Sequence, residues 1–580
     1  MSSKRIRRRI IIDDGARHLM MAPLTSTLVP QIGALSSFSR STAAMVPDME
    51  GIIKWCKINE ARFEGARRVE NACASSENIQ HTSWTSFGTI VDEKTFTVTG
   101  TSSYLRNLPA PFLKSTASGT LNISFEAKSD TPGFKINVAA NNTLAWNTYT
   151  GDVLLTLTSN WVRYNVKVTK VPGSLGLAIY ALFGDKKGDN TSAGASIGTF
   201  NIRKIQIEDC EGETNQNPSE YVSTNILSTP FHGAGVDGVK YFETLNGNTV
   251  VSNIVTEATG AAIPSATLKG FLSEAQATNY CLYSNDFSNA AWVKTTMTAT
   301  FDAVGPAGKA NMASTLTATA ANATALQSIT RSSALRISSL WVKRRTGSGV
   351  VNMTQDNGVT WTPITVTAGW TRVSIPSATA ANPVVGIQIV TNADAIDVAY
   401  FQHEEGTYVF PTSEILTTSA ATTRTADTLK YIKDGFIKDG QGSIILTVNP
   451  KWSTRNSGGN EAIYLRESGA GQGLVLGIYS WPGADNVLEA ERGNTVTTNE
   501  VYNTATIITA NILMKLGMTY SDLQVSGYRD GASLGDIVKT NSYSNITLLD
   551  IGPNANARIK NLKIYSKALP PAKMVILTVL

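Results

Sequence analysis

Cysteine, histidine and charge are all scarce in this chain, and each scarcity closes off a class of function. Its four cysteines, Cys56, Cys73, Cys210 and Cys281, are too few and too widely spaced for a disulfide framework or a CxxC metal site. They read instead as small buried hydrophobes. Its four histidines, His18, His81, His232 and His403, sit in nothing resembling a nucleophile elbow or an HExxH helix. No P-loop and no dinucleotide fingerprint occurs, so no cofactor is expected. Charged residues are 16% of the chain and the net charge is only +5. A nucleic-acid footprint needs lysine and arginine gathered on one face, and only the N-terminus gathers them. No segment approaches about eighteen uninterrupted apolar residues, so no membrane span is expected. The head, MSSKRIRRRIIIDDG, begins like a secretory signal, but its apolar run Ile10 to Ile12 stops at Asp13 and Asp14. That run is too short for the apolar region of such a signal, so synthesis in a cytoplasm is expected.

What fills the chain instead is threonine, serine, alanine, asparagine and glycine between short apolar runs. This composition suits β-domains with many turns. At 580 residues the chain exceeds one hydrophobic core, and three or four domains are expected. A duplication organises them. NACASSENIQHTSW (71–84) and NYCLYSNDFSNAAW (279–292) align without a gap at Asn71/Asn279, Cys73/Cys281, Ser76/Ser284 and Trp84/Trp292. Further on, Trp161 and Arg163 answer Trp370 and Arg372, LNISFEAK answers LRISSLWVK, and Glu208, Asp209 and Pro218 answer Glu404, Glu405 and Pro411. In the first copy, alternation predicts strands at 95–98, 120–128, 134–139, 161–169, 175–182 and 199–208, the grammar of a β-sandwich. FSRSTAAMVPDMEGIIKWCKINEARFEG (38–65) reads as a hairpin turning at Pro47 to Gly51, with its arginines pinning turns.

The order of features in each copy resembles carbohydrate-binding-module-like jelly rolls: an asparagine-rich opening ending in Trp, a strand ending in Lys, a W-x-R strand, and a closing IQIED or FQHEEG. Phe38, Arg40, Ser41, Asp48, Gly51, Ile52, Asn59, Arg62 and Phe63 resemble a segment recurrent in virion proteins of tailed bacteriophages. There it precedes a sentence much like 279–292, and the module closes with wording like FQHEEG, FPTS and TRTAD, present here at 401–406, 410–413 and 423–427. At the C-terminus, Ile559, Leu562, Ile564 and Tyr565, followed by Ala568 and Leu569, are similar to the closing strands of concanavalin A-like or laminin G-like folds. The expected fold is therefore all-β: tandem jelly-roll β-sandwiches with an extended N-terminal anchor segment. The expected partition is a basic anchor (1–35), a hairpin adaptor (36–70), a first sandwich (71–224), a connecting β region (225–278), a second sandwich (279–428) and a lectin-like sandwich (429–580).

The resemblance implies a bacteriophage virion structural protein, a tail fibre or appendage that attaches to host-surface glycan. A capsid decoration or head-fibre protein, or a glycan-degrading spike, are the alternatives. It also implies a homotrimer held to other virion proteins through its N-terminus, where Arg5, Arg7, Arg8, Arg9 and Arg17 are the candidate anchoring residues; read alone, the segment is equally a disordered basic tail. Catalysis is not expected. Glycan hydrolysis needs two carboxylates held across a cleft, and adjacent pairs such as Glu208/Asp209 and Glu404/Glu405 face opposite ways along a strand. Glu489 and Glu491 share a face but lack a third acid or a cleft tryptophan nearby. For sugar stacking, the loop aromatics Trp146, Tyr149, Trp361 and Trp481 are the candidates, whereas the repeated Trp84, Trp161, Trp292 and Trp370 read as core. The loop acids Asp130, Asp185, Asp189 and Asp302 have no calcium-ligand spacing, so no metal is expected.

Overall fold

The computed structural model describes residues 18–30, 36–101, 103–107, 119–142, 152–169, 179–187, 191–213, 216–225, 231–243, 249–251, 254–256, 268–405, 410–432, 440–452, 465–466, 473–481, 484–493, 509–522, 524–538, 548–552 and 556–580. Among these, one short α-helix, Pro571–Leu577, stands beside antiparallel sheets. The chain forms two compact units: Thr42–Leu268 with Ala277–Arg424, and Met1–Ser41 with Lys269–Gln276 and Thr425–Leu580.

The first of these units holds two sandwiches of one topology. In the first sandwich, the five-stranded sheet runs Val153–Thr156, Lys135–Asn142, Ile179–Gly184, Tyr104–Asn107, Trp84–Phe87. In the second, the same order recurs as Thr362–Ile364, Val351–Thr354, Val384–Ile389, Ala323–Ser328, Val293–Thr295. The opposing sheets match likewise: Thr89–Asp92, Thr95–Val98, Gly198–Asp209, Thr120–Lys128, Val162–Thr169 against Met297–Ala303, Ala313–Ala318, Ala395–Glu405, Ala334–Thr346, Thr371–Ala380. Both cores hold aromatic contacts, in different geometries. Phe125 meets Phe183 edge-on at 5.1 Å, and Phe287 stacks on Trp292 at 3.9 Å. Such contacts add about 0.5–1.5 kcal/mol beyond burial. Cys73 and Cys281 lie within these cores, where burial pushes both thiols up.

One buried asparagine closes each sandwich. Asn71 Nδ2 donates to the carbonyls of Ile205 (2.9 Å) and Val222 (2.8 Å), and its Oδ1 accepts from the amides of Cys73 (2.9 Å) and Ile207 (3.0 Å). Asn279 repeats all four bonds with Phe401, Ile415, Cys281 and His403 at 2.9–3.1 Å. Beside it, Ser76 and Thr224 exchange amide-to-hydroxyl bonds, as do Ser284 and Thr417, and each threonine hydroxyl donates to the carbonyl of the neighbouring cysteine. Trp84 and Trp292 donate through Nε1 to Ser75 O and Tyr283 O, residues whose positive φ aims those carbonyls inward. Both long strands also carry a bulge, at Lys204 (φ 50) and Tyr400 (φ 49). The extra residue resets the alternation, so Phe200, Ile202, Ile205 and Ile207 all reach one core.

The hairpin Ala44–Pro47/Ile53–Cys56 ties the sandwiches together. Its turn is an Asx turn, in which Asp48 Oδ1 accepts from the amides of Glu50 (2.8 Å) and Ile52 (3.0 Å), and Gly51 supplies φ 78. Met45 and Ile53 pack with Ala303, Ala307, Ala313, Ala399 and Tyr400 of the second sandwich. Arg62, fully buried, donates to Met45 O (3.0 Å) and Ser413 Oγ (2.7 Å). Gly212 and Gly308 come so close that a Cβ on either would fall 2.5 Å from the other's Cα.

In the other unit, Ala557–Tyr565 is the central strand. It pairs with Gly442–Pro450 and also with His18–Ala22 and Gly270–Ser273. Ile559, Leu562, Ile564 and Tyr565 are buried there. The buried pair Arg40–Asp427, at 3.0 Å, joins the two short motifs FSRS and TRTAD. Of the segment expected as an anchor, His18–Ala22 runs beside Ala557–Tyr565, and Leu24 and Leu28 are fully buried. The connecting β region gives strands to three sheets. Val239–Phe242 pairs with Arg67–Glu70, Ile254–Thr256 pairs with Val162–Thr169, and Gly270–Ser273 joins the C-terminal strand.

One difference between the twin interiors is polar. Ile207 and Ile123 lie in the first core, while their counterparts His403 and Ser338 are bonded to each other at 2.8 Å, with His403 Nε2 buried and unpartnered. Burial, with Arg336 nearby, holds the imidazole down to about 3.

Two outcomes are expected. Asn279→Ala strands two buried amides and two carbonyls, and should cost the second sandwich about 3 kcal/mol or more in denaturant unfolding. For His403, the folded value lies below the unfolded 6.5, so its contribution is full above pH 6.5 and declines as pH falls toward 3, by about 1.4 kcal/mol per pH unit. His403→Ile should flatten that part of the stability profile, and an unchanged slope would contradict the assignment.

Candidate functional site

The strands that build the cores also present outer faces, and there the twins diverge. In the second sandwich, Ala325, Ile387, Met353 and Ile364 point inward, so alternation puts Thr324, Gln388, Asn352 and Pro363 in one row on the outside. Asn352, itself buried, donates through Nδ2 to Oε1 of the partly exposed Gln388 at 2.8 Å, which leaves the Gln388 Nε2 donor for a ligand. Leu326, Gly386 and Thr354 form the neighbouring row. Trp361, partly exposed, stands just before the edge strand Thr362–Ile364. Its ring lies against Gly358, where a Cβ would come within 2.9 Å and φ is 75. Asp356 and Thr354 bond the turn beneath it through the amides of Thr360 and Gly358, both at 2.9 Å.

In the first sandwich, the corresponding face aligns Leu154, Asn137, Gly184, Tyr104 and Phe87 in register. Phe87, 58% exposed, stacks on Tyr104 at 6.4 Å, and the Arg106 guanidinium lies 5.6 Å from the Tyr104 ring centre. Arg106 Nε also donates to Thr85 Oγ1 at 3.0 Å. Asn107 and Gln327 fix the correspondence, since each exchanges two bonds with a backbone residue beside the duplicated cysteine, Ala74 or Leu282. By that alignment, Tyr104 and Arg106 occupy the places of Thr324 and Leu326. One face is aromatic and cationic, the other amide-lined with a tryptophan at its edge. Sequence reasoning passed over Phe87 and Tyr104, whose strands WTSF and YLRN have only four residues each.

A separate cavity of 690 Å³ lies within the same unit, walled by the hairpin, the strand Arg67–Glu70, the loop after Gly198–Asp209 and residues 307–312. Among the described residues, seven carboxylates and five cationic side chains line it. Each cation is already in an ion pair: Lys54 with Glu213 (2.5 Å), Lys57 with Glu70 (2.9 Å), Lys309 with Asp209 (2.8 Å), Arg68 with Glu60 (2.7 Å), and Arg67 with Glu220. Burial raises the Asp48 and Glu208 carboxyls above the usual range. Trp55, 38% exposed, completes the lining. Glu208 and Asp209, expected to face opposite ways, both reach this cavity because the strand ends at Asp209.

The other acids are held by their own fold. Glu208 and Glu404 accept the amides of Ser219 and Thr412 at 3.0 Å, and Glu405 pairs with Arg336 at 2.8 Å. Asp185 accepts from Ser192 Oγ (2.6 Å) and the Ala195 amide (2.7 Å), and Asp302 from the hydroxyls of Thr300 and Thr315. Asp130 is exposed and pairs with Lys128 at 3.3 Å. Among the described residues, no group of three or more His, Cys, Asp or Glu is placed to hold a metal. Trp84 and Trp292 are buried, while Trp161 and Trp370 are partly buried beneath Arg203 (4.1 Å) and Lys343 (5.1 Å). Their partners Arg163 and Arg372 reach Ser219 O (2.8 Å) and Glu414 (3.1 Å). Trp146, Tyr149 and Asp189, and the arginines Arg5, Arg7, Arg8, Arg9 and Arg17, lie outside the described residues. For Trp481, Glu489 and Glu491 only the backbone is described, in the hairpin Gly473–Trp481/Ala484–Gly493.

No protein-family model and no curated protein matches the chain. Among solved structures, it is similar to domain 4 of a GH43 extracellular arabinanase from Geobacillus stearothermophilus, determined with arabinotriose: 18% identity over 30% of this chain and 82% of that one, TM-score 0.22. A tandem CBM22 domain of Paenibacillus barcinonensis Xyn10C is 11% identical over 59% of this chain and all of that one, TM-score 0.21. The receptor-binding domain of botulinum neurotoxin D is 12% identical over 26% of this chain and 41% of that one, TM-score 0.21. At these scores the likenesses carry no argument, and the tandem β-sandwich architecture stands on the chain's own sheet topology.

Proposed function

We propose that this chain is a structural protein of a bacteriophage virion, a tail fibre or similar appendage, which attaches to host-surface glycan through its sandwich faces. The observation that carries the reading is the contrast between the twins: their closing asparagines bond alike while their outer faces present different ligand chemistry. A fold duplicated for its interior and varied at its surface is economical for binding by several weak sites, because linked sites raise avidity far above any single contact. Aromatic rings beside amides or a guanidinium suit sugar rings and their hydroxyls. The resemblance of 38–63 and 401–427 to phage virion proteins supports the viral setting, and the buried Arg40–Asp427 pair gives two of those motifs a shared role. In this reading Arg5, Arg7, Arg8, Arg9 and Arg17 attach the chain to other virion proteins, copies assemble as a homotrimer, and no bond in the glycan is cleaved.

The full chain should bind polysaccharide from the host envelope with a single-site Kd of about 10 µM to 1 mM. Trp361→Ala should weaken binding by the second face about tenfold without lowering the melting temperature. Gly358→Ala should weaken it similarly by displacing the ring. Antibody to the chain should label projections on intact particles. Release of reducing ends, or no binding by folded protein, would overturn the proposal.

A further inference from the structure

The outer face of the second sandwich is uncharged yet carries a fixed hydrogen-bond donor. Neither of its two rows holds a charged side chain, and Asp356 lies in the turn beneath Trp361 rather than in a row. A charged sugar would lose hydration there and find no counter-ion. The bond from Asn352 Nδ2 occupies Gln388 Oε1 and so settles which end of that carboxamide is which: Nε2 is the end left for a ligand. Directly across from Gln388 stands Thr324, whose hydroxyl both donates and accepts. Beside them the floor is apolar. Gly386 has no room for a side chain, since a Cβ would fall 2.7 Å from Leu326 Cδ2, so Leu326 fills that place. A donor, a hydroxyl and an apolar floor in one patch match an acetamido group, which brings a carbonyl acceptor, an N–H and a methyl.

We propose that this face selects oligosaccharides of N-acetylhexosamine over those of unsubstituted hexose. The inference rests on the glycan reading above and names its sugar. Gln388 Nε2 donates to the acetamido carbonyl, Thr324 Oγ1 accepts its N–H, and Leu326 takes its methyl. Trp361 stands beside the edge strand, two strands from Gln388 in the sheet and about 10 Å away by strand spacing. The ring stacked on Trp361 and the acetamido group on Gln388 therefore belong to separate residues of one chain. Gln388 tells acetamido from hydroxyl, whereas Trp361 stacks on either sugar.

Calorimetry on the full chain with triacetylchitotriose, cellotriose and fully deacetylated chitotriose tests the proposal. The acetylated sugar should bind about tenfold tighter than cellotriose, the effect of one well-made hydrogen bond, and the deacetylated, cationic one should bind weakest. Gln388→Glu keeps an oxygen for Asn352 Nδ2 and removes the donor. It should erase the preference for the acetylated sugar and raise affinity for the deacetylated one, with the melting temperature unchanged. Trp361→Ala should weaken the acetylated and plain sugars alike and leave their ratio as it was. Equal binding of those two sugars by the unaltered chain, or a preference that survives Gln388→Glu, would overturn the inference. If no trisaccharide binds at about 10 mM while host polysaccharide does, the inference fails and the glycan reading stands; if neither binds, both fail.

Discussion

A carboxamide with no access to water holds each of the twin sandwiches shut. Asn71 and Asn279 each satisfy two amides and two carbonyls that come from three separate stretches: the opening segment, the long strand and the strap that follows it. Asparagine alone among small side chains offers two donors and an acceptor of two lone pairs in one plane. Aspartate would bury a charge, and serine would leave backbone groups stranded, each at a cost of about 1–3 kcal/mol. Around this side chain the serine–threonine exchange, the tryptophan bond to a left-handed carbonyl and the strand bulge recur in both copies.

That constraint explains how the surfaces were free to change. The side chains that close the sandwich lie inside or beneath the strap, so nothing in the closure depends on what the five-stranded sheets show to solvent. One copy turned a stacked aromatic pair and an arginine outward, the other an amide pair and an edge tryptophan. Inside, His403 and Ser338 stand where the first copy has Ile207 and Ile123, and the buried imidazole makes the second sandwich the acid-sensitive copy.

Much of this was legible in the residues. The gapless alignment of Asn71/Asn279 and Trp84/Trp292 marks the closure, LNISFEAK shows its alternation plainly, and the Pro47 to Gly51 turn names its hairpin. Other parts were hidden for physical reasons. HLMMAPL has no period, and its place beside Ala557–Tyr565 is set by a sheet edge more than five hundred residues away in sequence. The strands Trp84–Phe87 and Tyr104–Asn107 are only four residues long, too short for a period to stand out. The cavity draws its charges from four segments, and each charge taken singly reads as an ordinary solvated residue.

The most direct test is native-state hydrogen exchange at the four amides that the two asparagines receive, those of Cys73, Ile207, Cys281 and His403. If the carboxamides hold the sandwiches shut, these amides exchange only when their whole sandwich unfolds, with protection equal to that of the central strands. Should they exchange sooner than those strands, the closure opens on its own and the asparagines are not what the fold depends on.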